Sequence, residues 1–124
     1  MALLTREQLL AKQELEVVKV DLENGDYVFV REMTAFERDK FEQSLRTEEK
    51  GEKGKIEIKL ALENYRAKLA VCTMCDETGV LILQPGDYPV LSKSMGAGRM
   101  EKIINAAQKL NAISEEDKEA LVKN

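Results

Sequence analysis

Apolar and polar residues alternate on both sides of an Asn24-Gly25 step in the segment 15–32. Alternation with a period of two is typical of a half-buried β-strand, and Asn-Gly is the strongest short-range signal for a tight hairpin turn. We therefore predict a β-hairpin in which Asn24 and Gly25 form a two-residue loop. This register places Val20 opposite Phe29.

In that register the two faces of the hairpin differ in character. We predict that one face contacts the core, through Val18, Val20, Leu22, Tyr27 and Phe29. The opposite face is half apolar, because it carries Val17, Val28 and Val30 among charged residues. Either another part of the chain covers these three valines, or they form a candidate partner surface. Such a surface would meet a second subunit or a partner, face-on or by strand addition at an exposed edge.

Two capping boxes predict helix starts in the first half of the chain. Thr34 and Glu37 have the spacing that satisfies the free amide groups of a first helical turn, and they predict a helix over 35–49 with Phe36, Phe41 and Leu45 as apolar anchors. A similar pair predicts a short helix within 5–12. The segment 46–55 is rich in charge and holds two glycines, so we expect a flexible, solvated connector there.

Helical periodicity dominates the second half. Apolar residues at steps of four and three predict a long, central and largely buried helix over 57–75. A DETG turn follows, then a short extended segment and a brief helical turn, and further helices are predicted at 99–111 and 115–122. The predicted fold is α+β: one mainly helical domain over 1–124, with an N-terminal β-hairpin packed on the helices.

Composition narrows the function. The chain of 124 residues is 44% hydrophobic and 34% charged, which favours one folded domain with a well-solvated surface. Its net charge of −4 disfavours nucleic acid and anionic membranes as partners, because both select basic surfaces. The sequence has no apolar run of membrane-spanning length and no signal-peptide pattern at its start, so we expect a cytoplasmic protein.

Candidate chemistry is sparse. The chain has no histidine, which excludes the commonest general base and nitrogen ligand of metals. The Cys72-Cys75 pair forms a CxxC motif, but two cysteines are too few for a zinc site, and the end of a helix disfavours a thiolate. We interpret both as small buried or inert thiols. Gly96 to Arg99 matches no phosphate-binding pattern, and the acidic cluster in 115–119 suits an ordinary helix start. We therefore expect no catalytic residue, no metal ligand and no cofactor.

The order of several phrases resembles the tail assembly chaperones of long-tailed, siphophage-type bacteriophages and prophages. The phrases are VREMTAFERDKFE at Val30–Glu42, RAKL at Arg66–Leu69, DETG at Asp76–Gly79 and LNAISEED at Leu110–Asp117. Each is weak alone, but together they extend over nearly the whole chain.

The resemblance implies a non-enzymatic protein of virion assembly that acts in the bacterial host cytoplasm. Such a protein binds the tape measure protein, keeps it soluble, helps to recruit tail tube subunits, and is absent from the mature virion. We also expect self-association. The alternative is a structural phage component, such as a head–tail connector or a tail completion subunit. A redox enzyme built on the CxxC motif is a third hypothesis.

Overall fold

The structure of the protein is a computed structural model that describes residues 2–50, 56–60 and 64–113, with the backbone alone described for 46–50 and 56–60. It is an α+β domain in which the N-terminal hairpin packs on helices, as the sequence predicts. The elements in chain order are α1 (Arg6–Leu10), β1 (Val17–Asp21), β2 (Tyr27–Arg31), α2 (Ala35–Ser44), β3 (Arg46–Lys50), β4 (Ile56–Leu60), α3 (Tyr65–Thr73), β5 (Met74–Cys75), α4 (Tyr88–Ser94) and α5 (Ala97–Leu110), with 3-10 turns at Glu23–Gly25 and Pro85–Asp87.

The core lies between a small antiparallel sheet and two helices. The sheet has the strand order β1-β2-β5, and α5 packs on its inner face and against α3. The helix predicted at 99–111 is present as α5, and four of its residues are buried in the core: Met100, Ile103, Ile104 and Ala107. The largest fully buried side chains of the core are those of Phe41, Leu69, Ile103, Val30 and Thr73.

The hairpin is present, but its predicted register is wrong by one residue. Val18 lies opposite Val30, and Val20 lies opposite Val28. The turn itself has the expected geometry, since Asn24 and Gly25 both have positive φ, at 61° and 80°. The shift arises next to the turn, where the N–H of Leu22 donates to the carbonyl of Asp26 at 2.8 Å while the N–H of Asp26 donates to Glu23 at 3.2 Å. Leu22 and Glu23, which follow β1, thus oppose the single residue Asp26, which precedes β2, and this is a β-bulge.

Because of this bulge, the side chains of β2 lie on the opposite faces of the sheet from those predicted. A one-residue slip moves every side chain of a strand to the other face. Val28 and Val30 therefore lie on the inner face with Val18 and Val20, whereas Tyr27 and Phe29 share the outer face with Val17. The prediction that Tyr27 and Phe29 face the core is wrong.

The segment 46–60 differs most from the prediction. A second antiparallel hairpin replaces the end of the predicted helix over 35–49, part of the flexible connector over 46–55 and the start of the helix over 57–75. β3 pairs with β4 from Arg46 opposite Leu60 to Lys50 opposite Ile56. Residues 51–55 of that connector lie outside the described residues. The reason for the strand is visible in IEIKL, which alternates apolar and charged residues with a period of two.

The long central helix is accordingly shorter than predicted. α3 begins at Tyr65, because Asn64 has a left-handed conformation with φ 71° and an α-helix cannot continue through it. From Tyr65 to Thr73 the helix is largely buried, as expected for the central helix of the domain.

The remaining predicted elements mostly agree with the structure. Thr5 and Thr34 both form complete capping boxes at the starts of α1 and α2. The DETG turn is closed by Asp76, whose carboxylate accepts from the N–H of Thr78 at 2.8 Å. The extended segment after it makes a single bridge, between Leu81 and Cys75. The predicted helix over 115–122 lies outside the described residues, and no helix within the described ranges is long and apolar enough to cross a membrane.

Asn111, at the end of α5, ties this helix to the junction between β2 and α2. Its side-chain oxygen accepts from the N–H of Met33 at 2.7 Å, and its amide donates to the carbonyl of Ala107 at 2.9 Å. Arg38 on α2 donates to the Asn111 carbonyl at 2.7 Å. Asn111 thus joins the end of α5 to the β2–α2 junction through its side chain, and to α2 through its backbone carbonyl.

We predict that Asn111→Ala lowers the free energy of unfolding by about 1–3 kcal/mol, because it leaves the N–H of buried Met33 without an acceptor. Urea denaturation followed by circular dichroism measures the change. Asn105→Ala is the matched control, since Asn105 is exposed on the same helix. An equal effect of both variants would contradict the role assigned to Asn111.

Candidate functional site

The most distinctive surface feature is a groove beside the end of β2. Its volume is about 750 Å³, and its walls come from the segment before β1, the start of α2 and the loop that follows the DETG turn. We call it the Arg31 groove and define it by Leu15, Arg31, Phe36, Glu37, Val80 and Leu81.

Arg31 forms the polar base of this groove. Although it belongs to a strand, its side chain is only 8% exposed. Its two terminal nitrogens donate to the two carboxylate oxygens of Glu37 at 3.0 and 2.7 Å, which is the bidentate geometry that guanidinium and carboxylate groups favour. Nη1 also donates to the carbonyl of Glu32 at 3.0 Å. Among the described atoms, the buried Nε has no hydrogen-bond partner.

Glu37 serves both this ion pair and the start of α2. Oε1 of Glu37, which accepts from Nη1 of Arg31, also accepts from the N–H of Thr34 at 2.9 Å. In return, the Thr34 hydroxyl accepts from the N–H of Glu37 at 3.1 Å. Burial opposes ionisation of this carboxyl, but the hydrogen bonds from Arg31 and Thr34 outweigh it and hold the pKa of Glu37 below its usual value. The groove therefore has a charged, well-ordered base.

Apolar side chains form the rim of the groove. Phe36 is 69% exposed and Val80 is 62% exposed, although both are large hydrophobic residues. The sequence predicts Phe36 as an apolar anchor of α2, and this is wrong, because Phe41 and Leu45 are buried and Phe36 is not. Phe41 and Leu45 are four residues apart and share one helix face, whereas Phe36 lies five residues from Phe41 on a different face.

The N-terminal segment next to the groove adds further exposed apolar surface. No residue of α1 is buried. Its leucines are exposed together with two that precede it, and they are Leu3, Leu4, Leu9 and Leu10. Large apolar side chains that are exposed in this way are candidate contacts for another protein.

The outer face of the sheet carries an aromatic pair. The rings of Tyr27 and Phe29 meet edge to face, with centroids 5.7 Å apart. The Lys19 ammonium lies 4.3 Å from the centre of the Tyr27 ring, as in a cation–π contact. Tyr27 remains about half exposed, so this face is covered only in part.

The three valines predicted as a partner surface do not form one face. Val30 is fully buried in the core, and Val28 is half-buried on the same inner face. Val17 lies on the outer face, where its methyl group is close to Gly79. The structure brings Val28 and Val30 together and separates Val17 from them.

Sequence reasoning missed Arg31 and Phe36 as residues of the site, and for Phe36 the helical spacing relative to Phe41 was the available signal.

Cys72 and Cys75 lie close to Arg31, but their environment favours neutral thiols. Burial raises the pKa of Cys72, the negative charge of Glu37 acts in the same direction, and Arg31 opposes them. Burial also raises the pKa of Cys75, against the influence of Arg31. Both cysteines are free. A raised thiol pKa disfavours the nucleophilic thiolate form at neutral pH.

The glycine-rich entry to α5 is held by an ion pair. Gly96 is the N-cap residue, and its turn has no capping side chain. Arg99 donates from Nε to the Glu23 carboxylate at 2.5 Å and lies 3.6 Å from the Asp26 carboxylate. This arginine therefore ties α5 to the turn of the first hairpin.

Within the described ranges, no three residues of the metal-ligating types gather into a cluster that could hold a metal ion, and residues 115–119 lie outside those ranges.

Comparisons of the chain with protein-family models, curated protein sequences and solved structures find no match.

We predict that Glu37→Gln lowers the free energy of unfolding by about 2–3 kcal/mol, since it leaves the buried Arg31 charge without its counterion. Glutamine retains the length needed for the capping box, so the change isolates the charge. Glu42→Gln is the control, because Glu42 pairs with Arg38 at 3.2 Å where both side chains are about one-third exposed. That control should cost no more than about 0.5 kcal/mol.

The Glu37 effect should depend on pH in a defined direction. Since the folded-state pKa lies below the ordinary value of 4.5, the stabilisation is complete above about pH 5 and is lost as pH falls through the folded pKa. The difference in unfolding free energy between wild type and Glu37→Gln should therefore shrink below that pH. A difference that grows on acidification would contradict the assigned role.

We predict that both thiols react more slowly with a disulfide reagent in the folded protein than in denaturant, because burial limits both access and ionisation. The single variants Cys72→Ser and Cys75→Ser separate the two sites. Cys75 is only 2% exposed and should react more slowly than the half-buried Cys72. A folded-state rate equal to or above the unfolded rate would indicate an activated thiol and favour the redox hypothesis.

Proposed function

We propose that this protein is a non-enzymatic phage tail assembly chaperone. In this proposal it binds the tape measure protein in the host cytoplasm, keeps it soluble and helps to recruit tail tube subunits. The observation that carries the proposal is the exposed apolar surface around the Arg31 groove, together with the sequence resemblance described above.

The shape and chemistry of the groove support a helical client. An amphipathic helix binds a groove through apolar anchors on one face, with polar groups at the margins fixing its orientation. Phe36 and Val80 supply apolar contacts at the rim, and Arg31 and Glu37 supply a charged base. The N-terminal segment carries further exposed leucines, at positions before the residues that line the groove.

The rest of the composition supports a role as a solubilising partner. A protein that coats an apolar client needs apolar surface for binding and charge elsewhere to keep the complex in solution. With 34% charged residues and a net charge of −4, the chain has that charge.

A pair of matched variants tests the groove. Phe36→Glu removes an exposed apolar side chain from the first turn of α2, where an acidic residue favours the helix dipole. Val90→Glu makes the same kind of change in the first turn of α4, at a residue that is 71% exposed and lies outside the groove. Both variants should fold, so differences between them report on binding.

On co-expression with the tape measure protein, we expect the wild type and Val90→Glu to keep the client soluble and to co-purify with it. Phe36→Glu should reduce the recovered complex about tenfold, as expected for loss of a buried aromatic anchor. Adding the tail tube protein to the captured complex tests recruitment. A client that is insoluble with wild-type protein, and no complex by light scattering, would refute the proposal.

Mass spectrometry of purified virions separates the chaperone from the alternative of a structural component. A chaperone is absent from mature particles, whereas a head–tail connector or a tail completion subunit is present at a fixed copy number. Detection of the chain at such a copy number would favour the structural role.

A further inference from the structure

β1 forms an open edge of the three-stranded sheet. The Glu32 N–H donates to Glu16 at 3.0 Å, and the Leu22 N–H donates to Asp26 at 2.8 Å. Glu16 and Leu22 thus belong to hydrogen-bonded pairs, and such pairs alternate with non-hydrogen-bonded pairs along an antiparallel ladder. The backbone N–H and C=O groups of Val17, Lys19 and Asp21 are therefore directed away from β2. Within the described part of the chain, no backbone hydrogen bond outside the ladder reaches these three residues.

The second hairpin, β3 and β4, forms a separate two-stranded sheet. Within the described part of the chain, its contacts with other elements are few and are mainly with α2, which leads directly into β3. A two-stranded hairpin is marginally stable in water by itself and gains stability from additional strands or from packing. Among the described strands, β4 pairs with β3 along one edge, and no strand pairs with its other edge.

The sequences of these two edges match each other. β1 and β4 both have five residues. β1 alternates apolar and charged residues from Val18 onward, and β4 alternates them throughout, so Ile56 and Ile58 have the same spacing as Val18 and Val20. Alignment of the two strands with Glu57 opposite Lys19 places an apolar residue opposite each of these valines, in either strand direction.

The charges agree in the same alignment. Lys19 opposes Glu57 in either direction, and Asp21 opposes Lys59 when the strands are parallel. Opposite charges at directly facing positions stabilise a strand pair, and like charges destabilise it. The complementarity thus favours one register in each direction and disfavours a slip by one residue.

We propose that β4 of one copy adds to the β1 edge of a second copy and extends its sheet to four strands. The occupant of the edge is thus another molecule of the same chain. This inference rests on the self-association within the proposed function, and it identifies the surface that mediates it. The test of this inference uses the purified protein alone. Self-association through β1 can therefore fail while client binding holds, and client binding can fail while self-association holds.

The first test removes a hydrogen-bond donor from the edge. Lys19→Pro eliminates an N–H that is directed away from β2, so the internal ladder of the hairpin keeps its bonds. Lys19→Ala is the matched control, because it removes the same side chain and retains the N–H. In sedimentation velocity over a concentration series, the wild type should self-associate, Lys19→Ala should associate more weakly, and Lys19→Pro should remain monomeric.

The second test exchanges the facing charges. Lys19→Glu and Glu57→Lys should each raise the dissociation constant about tenfold, since each turns an attractive pair into a repulsive one. The double variant should restore the wild-type constant within about twofold. Circular dichroism of every variant establishes that it is folded, and rescue in the double variant cannot arise from misfolding.

Three results would overturn the inference. The first is a wild-type protein that stays monomeric at all concentrations. The second is self-association that Lys19→Pro leaves unchanged. The third is a double charge exchange that is no better than either single exchange. If Lys19→Pro abolished client capture and left self-association intact, the occupant of the edge would be an extended segment of the client instead.

Discussion

The ion pair of buried Arg31 and partly buried Glu37 joins the sheet to α2. Arg31 is the last residue of β2, and Glu37 belongs to the first turn of α2. Two parallel hydrogen bonds fix the distance and the direction between the strand and the helix that follows it. Desolvation of both groups is expensive, so the pair is stable only while both charges and their remaining hydrogen bonds are present. The site and the helix start consequently depend on the same carboxylate.

This arrangement also determines the chemistry of the neighbouring cysteines. Arg31 is the nearby cation that could stabilise a thiolate, but Glu37 neutralises much of its field, and burial acts against ionisation. A cation that is committed to a structural pair does little to activate a nucleophile. The surroundings of the Arg31 groove therefore suit recognition of apolar and polar surface better than covalent chemistry.

The comparison of sequence with structure shows which signals were reliable. The capping boxes at Thr5 and Thr34 involve residues three apart, so local chemistry determined them and the prediction was correct. The turn at Asn24-Gly25 was also correct, because positive φ at both residues is a local preference.

Predictions failed where helical and strand periodicities competed in the same residues, or where one extra residue changed the register of a hairpin. Residues 56–60 fit a helical stripe that includes Tyr65, but they also alternate strictly, and the left-handed Asn64 separates them from α3. The bulge beside the first turn has no distinctive sequence signal, so the partner-surface prediction based on the regular register was wrong for Val28 and Val30. The hairpin predicted over 15–32 includes Arg31, but the sequence does not predict its ion pair with Glu37, because that contact depends on the angle between β2 and α2.

The bulge at Leu22 and Glu23 lets the first hairpin accommodate a change of length at its tip. Exposed loop tips are ordinarily the places where a chain gains or loses residues without consequence. Here the extra residue stands outside the ladder, so loss of one residue would leave Leu22 opposite Asp26, with Asn24-Gly25 as a regular two-residue turn. Val18 and Val20 would still lie opposite Val30 and Val28, and the core face of the sheet would be unchanged.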